Sequence, residues 1–235
     1  MERRNFLAGM AALELTAAAS PGAAAEADSV YIPDSQKVTD LKALQDVMEE
    51  FSFADLITSS GGIRVTHLPV LLDRTGKFGK LTAHVAKNNP QQALLDGTHE
   101  AVIVFHGPHH YISPSWYVPG TNAVPTWNFA VVHATGKPKA LNDDARTAAF
   151  LERLVGHFEA YENSTYDFSK LPESYKKGMR QGIVAFELEI ENLEGKFKLG
   201  LDRAANVPGM LKGLRASKGE RSLVEFTEAE LKRRG

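Results

Sequence analysis

His106-Gly107-Pro108-His109-His110-Tyr111-Ile112-Ser113-Pro114-Ser115-Trp116-Tyr117 runs on through Val118-Pro119-Gly120-Thr121-Asn122-Ala123 to Val124-Pro125-Thr126-Trp127-Asn128. Both tryptophans of the chain, three of its eight histidines and four of its eleven prolines fall here. Proline fixes φ and removes a backbone donor, so the stretch reads as a rigid corner and not as the middle of an ordinary sheet. Flat rings and neutral hydrogen-bonding groups on such a corner suit a planar ligand better than a polyanion or a lipid. The competing reading is a Pro-rich turn whose aromatics plug the core.

The corner lies between strand-like runs. Residues 101–106 are rich in Val and Ile and are expected to be buried on both faces, and strand character resumes over 127–135. Further runs cover 53–58, 63–73 (broken by Pro69), 80–85 and 183–193, the last continued by 196–199 after Gly195. In the 183–193 run Val184, Phe186, Leu188 and Ile190 alternate with Ala185, Glu187, Glu189 and Glu191, the period of a half-buried strand. Turns fall at Ser59-Ser60-Gly61-Gly62 and at residues 76–79. Closely spaced strands with Gly turns point to an antiparallel barrel rather than βαβ units. Helical spacing of Leu41, Leu44, Val47, Met48 and Phe51 predicts a helix over 41–51, with Thr39 or Asp40 as its cap. Other helices are expected over 143–161, 172–179, 207–214 and 227–233, with Thr227 and Glu230 as a capping box for the last.

The 235 residues carry 43% hydrophobic and 24% charged side chains, an ordinary globular balance. The first 27 residues hold Arg3 and Arg4 against Glu2, Glu14 and Glu26, so the remainder carries −1 of the total −2. That gives no electrostatic footprint for nonspecific nucleic-acid binding. With no cysteine, disulfides, thiolate nucleophiles and thiolate metal sites are excluded. Arg3-Arg4-Asn5-Phe6-Leu7, an Ala-rich run and Ala25-Glu26-Ala27 before Asp28 form the pattern of a twin-arginine export signal, which predicts a periplasmic or otherwise exported protein. A cytoplasmic location, with these residues as a tail or first helix, is the alternative. The run is too short and interrupted to span a membrane. The expected organisation is an export segment over 1–27, a barrel domain over 28–200 and a helical segment over 201–235, packed on or extending from the barrel.

No Gly-rich phosphate loop, H-E-x-x-H or G-x-S-x-G motif occurs. Polar groups gather instead on strands and corners. Alternation puts Arg64, Thr66 and Leu68 on one face and Val65 and His67 on the other. Lys87-Asn88-Asn89 ends the next strand, and a cation with two amides can hold a phosphate without a Gly-rich loop. A solvated turn is the plainer role for Lys87.

Tyr31-Ile32-Pro33, Thr66-His67-Leu68-Pro69-Val70-Leu71-Leu72, Leu81-Thr82-Ala83-His84-Val85-Ala86-Lys87-Asn88-Asn89-Pro90, the block from Phe105 through Tyr117, and Val124-Pro125-Thr126-Trp127-Asn128-Phe129 together resemble the PaiB-type family, the FMN-binding negative transcriptional regulators. Order and spacing match from Tyr31 to about Leu199. The resemblance implies a mainly β fold with flanking helices, the FMN-binding split β-barrel, and a homodimer with FMN at the subunit interface. It implies that Arg64, Thr66, His67 and Leu68 lie along the cofactor, and that Lys87 and Asn89 approach its phosphate with His84 nearby. Ser113, Trp116 and Trp127 would line the ring pocket or the dimer seam.

Two departures stand out. Where the family has a Ser-Gln-Asn-type segment after Lys198-Leu199, this chain has Gly200-Leu201-Asp202-Arg203, and an Asp near a phosphate would repel it. An exported protein, moreover, has no transcriptional target. The reading is therefore an exported FMN-binding protein, with a small flavin-dependent oxidoreductase as its activity. A cytoplasmic regulator is the alternative. Haem binding through His106, His109 or His110 is a further one. Nucleic acid is not an expected partner of an exported chain.

Overall fold

The computed structural model describes residues 30–217 and 221–234. The export segment expected over 1–27 lies outside them. The elements run β1 (Lys37–Val38), α1 (Leu41–Glu50), β2 (Phe53–Thr58), β3 (Arg64–Pro69), β4 (Leu71–Asp73), β5 (Lys80–Ala86), β6 (Ala101–Ile112), β7 (Thr126–Gly136), β8 (Lys139–Ala140), α2 (Asp144–Tyr161), α3 (Glu173–Arg180), β9 (Ile183–Glu189), β10 (Asn192–Lys198), α4 (Val207–Ala216) and α5 (Arg221–Arg234). Asp40 caps α1 by accepting from the Ala43 N–H (3.1 Å), and Asp143 caps α2 by accepting from Ala145 and Arg146 (2.8 and 3.1 Å).

The strands form two antiparallel sheets, in the orders β1-β10-β7-β6-β2-β3 and β4-β5-β9-β8. The chain passes from one sheet to the other at four places: across Val70, through residues 87–100, across Lys137-Pro138 and across Ile190-Glu191. This is the split barrel, mainly β with flanking helices. Its core holds Leu56, Leu81, Ile103, Phe105, Val132, Phe186, Leu188 and Phe197, all essentially closed to solvent. Val207, Met210, Leu211 and Leu214 of α4, with Leu223 and Val224 of α5, join the same core. No helix among the described residues is long and apolar enough to cross a membrane.

Four sequence expectations need correction. The corner begins later than expected, because β6 continues through Gly107-Pro108 to Ile112 against β7. Pro108 falls where the β6–β7 register shifts, between His106 and His109, and β2 has already ended its pairing at Val104. Its missing N–H therefore breaks no regular ladder. Second, the outer face of β6 is only partly covered: Ile103 and Phe105 point into the core and Val104 is buried as well, but Val102 is half-buried and His106 is exposed. Third, the strand expected over 183–193 breaks at Ile190-Glu191, and Gly195 lies inside β10. A Cβ there would stand 2.0 Å from Leu44 Cδ2, so this glycine admits α1 against the sheet. Fourth, Thr227 caps nothing. It is buried within α5, where its hydroxyl donates to Leu223 O (2.6 Å), and Glu230 pairs with Arg233 and Arg234.

Candidate functional site

β3 is the edge of the six-stranded sheet, and its two faces do different things. On the inner face Leu68 is buried in the core. Thr66 accepts from Asn89 Nδ2 (2.7 Å) and donates to Gln91 Oε1. Gln91 is buried, and its Nε2 reaches Leu56 O, Thr58 Oγ1 and Arg64 O at 3.2, 3.1 and 3.3 Å. Asn89 Oδ1 accepts from the Gln91 N–H (2.9 Å). A buried amide fully used in this way ties the end of β5 to the edge strand. Arg64 and Lys87 each lie two residues from this knot, at the same end of the barrel. The Arg64 guanidinium donates to Ser60 O (2.7 Å). The Lys87 backbone N–H donates to Gly182 O (2.8 Å), and its exposed ammonium meets no partner among the described residues.

On the outer face Asp55 of β2 bridges two imidazoles. One carboxylate oxygen accepts from His67 Nδ1, the other from His106 Nε2 at 2.9 Å. Burial pulls the Asp55 carboxyl upward, but the two histidine hydrogen bonds outweigh it and hold it below the usual carboxylate range. Such a group can store a proton on a ring and pass it to a neighbour. Phe53 and Val65, 68% and 49% exposed, flank this polar group with apolar surface. Neither Asp55 nor Gln91 was singled out from sequence. Asp55 was detectable as a lone carboxylate on the Phe53 and Ile57 side of an alternating strand.

The other expected site residues lie elsewhere in the chain. His84 faces α2 on the far side of the four-stranded sheet, its ring 5.9 Å from that of Phe150. Ser113 accepts from the Ser115 N–H (3.2 Å) and caps the turn that carries Trp116. Trp116 lies against Gly209 and Gly213 of α4. Trp127 is half exposed, with His109 and Tyr111 at 6.0 and 6.5 Å. The three histidines considered for haem are separately engaged: His106 with Asp55, His109 with Trp127, and His110 through Nδ1 with Tyr111 O at 2.5 Å. Asp202 lines a cleft with Asn128, Lys198 and Arg203 beyond β10. Three strands separate β10 from β3, roughly 19 Å of sheet, so within one chain it does not crowd Arg64 and Lys87.

Residues 30–192 match the family described as "Putative FMN-binding domain". The chain belongs to this PaiB-type family. It is 31% identical over 175 residues to protease synthase and sporulation protein PAI 2 of Bacillus subtilis (strain 168), spanning 74% of this chain and 83% of that one. An uncharacterized Aspergillus fumigatus protein is 30% identical over 188 residues, 61% of this chain and 72% of its own. Among solved structures, the flavocytochrome Anf3 from Azotobacter vinelandii superposes with a TM-score of 0.53 at 14% identity, covering 73% of this chain and 74% of that one. The protein described as a "putative 5-nitroimidazole antibiotic resistance protein" from Bacteroides thetaiotaomicron gives a TM-score of 0.50 at 12% identity, covering 68% of this chain and 85% of that one. These likenesses agree with the split-barrel fold, and membership of the family makes this PaiB-type chain a flavin-type, small-cofactor-binding domain.

Proposed function

We propose that this PaiB-type chain binds FMN at the β3 edge as a homodimer and works as an exported flavin-dependent oxidoreductase. The observation that carries the reading is the pairing of exposed apolar side chains, Phe53 and Val65, on the sheet face with two exposed cations, Arg64 and Lys87, at one end. A phosphate needs cations and donors, and Arg64, Lys87 and the second hydrogen of Asn89 Nδ2 can supply them. An isoalloxazine ring needs a flat apolar wall, and Phe53 and Val65 offer one. FMN, when bound, supplies the electron transfer. The protein's share is to fix the phosphate, to seat the ring against the sheet and to hold a proton on the Asp55–His67–His106 group.

Phe53, Val65 and Trp127 are large apolar side chains left exposed, and apolar exposure of this kind supports a second copy packed across them. The twin arginine at Arg3-Arg4 supports export, and cell fractionation of a variant carrying Arg3→Lys and Arg4→Lys tests it by retention of the protein in the cytoplasm.

The decisive measurement is the visible absorption spectrum of the purified full chain, before and after acid release of any chromophore. Flavin bands with free FMN in the supernatant support the reading, with light scattering reporting the dimer. A haem Soret band would replace flavin by haem. A colourless protein that also refuses added FMN would end the cofactor proposal.

A further inference from the structure

On the outer face of the four-stranded sheet, α2 and α3 roof a cavity of 540 Å³. This lies in the size range of small-molecule sites. Its origin is legible in α2. Phe150 and Leu154 seal that helix onto Leu71 and Ala185, and the neighbouring stripe of Ala148, Leu151 and Val155 is left facing the cavity. Tyr166, Phe168 and Met179 form the far wall. The lining is therefore apolar and aromatic.

His84 is the polar group set into the sheet side. Its Nδ1 is wholly buried and has no hydrogen-bond partner. Nε2 bonds to no described residue either, yet it is not among the buried unpartnered atoms, so it is the ring nitrogen that reaches the cavity surface. Burial pushes the His84 imidazole down, towards the neutral form. A neutral ring carries one hydrogen. Placing it on Nδ1 would bury an unmade N–H, so the hydrogen belongs on Nε2, where it offers a donor to the cavity. The cations of the lining are already paired, Arg180 with Asp144 at 3.0 Å and Glu173 at 3.1 Å, and Lys176 with Glu173 at 3.1 Å, and Glu152 adds a further carboxylate. Nothing there selects an anion.

The geometry points to a second small-molecule site, separate from the flavin edge, that takes an uncharged aromatic molecule whose single oxygen acceptor receives the His84 Nε2–H. The site stands on its own residues and does not depend on the flavin reading.

The test uses 2-naphthol and, as a partner lacking the oxygen, naphthalene, each titrated into the full chain labelled with ¹⁵N-histidine. The wild type is expected to bind 2-naphthol saturably, with the His84 Nε2 resonance moving. His84→Phe should weaken 2-naphthol about tenfold, the effect of one hydrogen bond, and leave naphthalene unchanged. Ala148→Trp should abolish binding of both by filling the cavity, while FMN uptake stays as in the wild type. Should Ala148→Trp fail to fold, Met179→Trp blocks the same cavity from its exposed rim. Unsaturable binding, equal 2-naphthol affinity in His84→Phe, or retained binding in the folded tryptophan variant would each overturn the proposal.

Discussion

Ile190 and Glu191 are neighbours in sequence but bond into different sheets. The Ile190 N–H donates to Gly79 O (3.1 Å) at the end of the four-stranded sheet, and the Glu191 N–H donates to Thr135 O (2.9 Å) in the six-stranded one. One peptide unit thus carries the chain round the barrel without leaving a backbone donor unmade. The crossing is tight because Gly136, the end of β7, lies directly against it: a Cβ there would stand 2.3 Å from Glu189 O and 2.8 Å from Leu188 Cδ2.

Gly136→Ala is accordingly expected to destabilise the fold by about 1–3 kcal/mol through overpacking at the barrel corner. Gly156→Ala, within α2 and with nothing within 4 Å of the new methyl group, should stabilise by about 0.5–1 kcal/mol through helix propensity. Denaturant midpoints of the two variants check this. Equal effects from both would mean that the corner relaxes freely.

The same corner shows what could be read in advance. Strands over 53–58 and 80–85, the capped helix α1 and the helix α2 were legible because the apolar period, and for α1 the capping residue, agree locally. Pro108 misled because proline's cost depends on whether a neighbouring strand needs its N–H, and β2 stops short of it. Gly195 misled in the other direction: its glycine is required by Leu44 of α1, a contact that no local pattern contains. Thr227 and Glu230 have capping-box spacing, but α5 starts earlier. In the site, Thr66 and Asn89 are joined by a hydrogen bond with Arg64 two residues away, whereas His84 and Trp116 are set apart from them by the choice of sheet face and by packing against a helix. Asp55 needs the register of β2 with β3 and β6 before its two histidines appear.

Burial pushes the imidazoles of His84 and His133 down, with Glu194 partly opposing this at His133. Both then bind a proton more weakly when folded than in the unfolded chain, whose value is about 6.5. Their contribution to stability is complete above that pH and is lost as pH falls through the lowered folded values. Asp55 is also lowered, so its contribution is complete above the unfolded value of about 3.9 and disappears as pH falls further. Denaturation midpoints across pH should therefore fall in two stages. His84→Phe should diminish the upper stage and Asp55→Asn the lower one. An unchanged profile in both variants would contradict the burial and pairing described.

If FMN occupies the β3 edge, its phosphate should account for Arg64 and Lys87. Arg64→Ala and Lys87→Ala are each expected to weaken FMN about ten- to a hundredfold, the effect of one hydrogen bond to a charged group. Riboflavin, which lacks the phosphate, should bind these variants as it binds the wild type. Quenching of flavin fluorescence measures both ligands. A parallel loss of riboflavin would assign the two cations to the fold and not to the phosphate.

Trp116 and Gly213 offer a test in which the sign of an effect reverses. A Cβ at position 213 would meet Trp116 Cδ2 at 2.2 Å and Cγ at 2.3 Å, so the indole lies directly on the glycine face of α4. Gly213→Ala alone should cost about 1–3 kcal/mol. Trp116→Ala alone should cost about 2 kcal/mol, below the range for a fully buried ring, because this one is only partly covered. With the indole removed, alanine at 213 meets no ring and should stabilise α4 by about 0.5–1 kcal/mol. The double variant is therefore expected to be more stable than Trp116→Ala, and a double-mutant cycle of denaturant midpoints measures the coupling. If Trp116 instead lined the flavin, Trp116→Ala would lower FMN uptake and Gly213→Ala would act identically in both backgrounds.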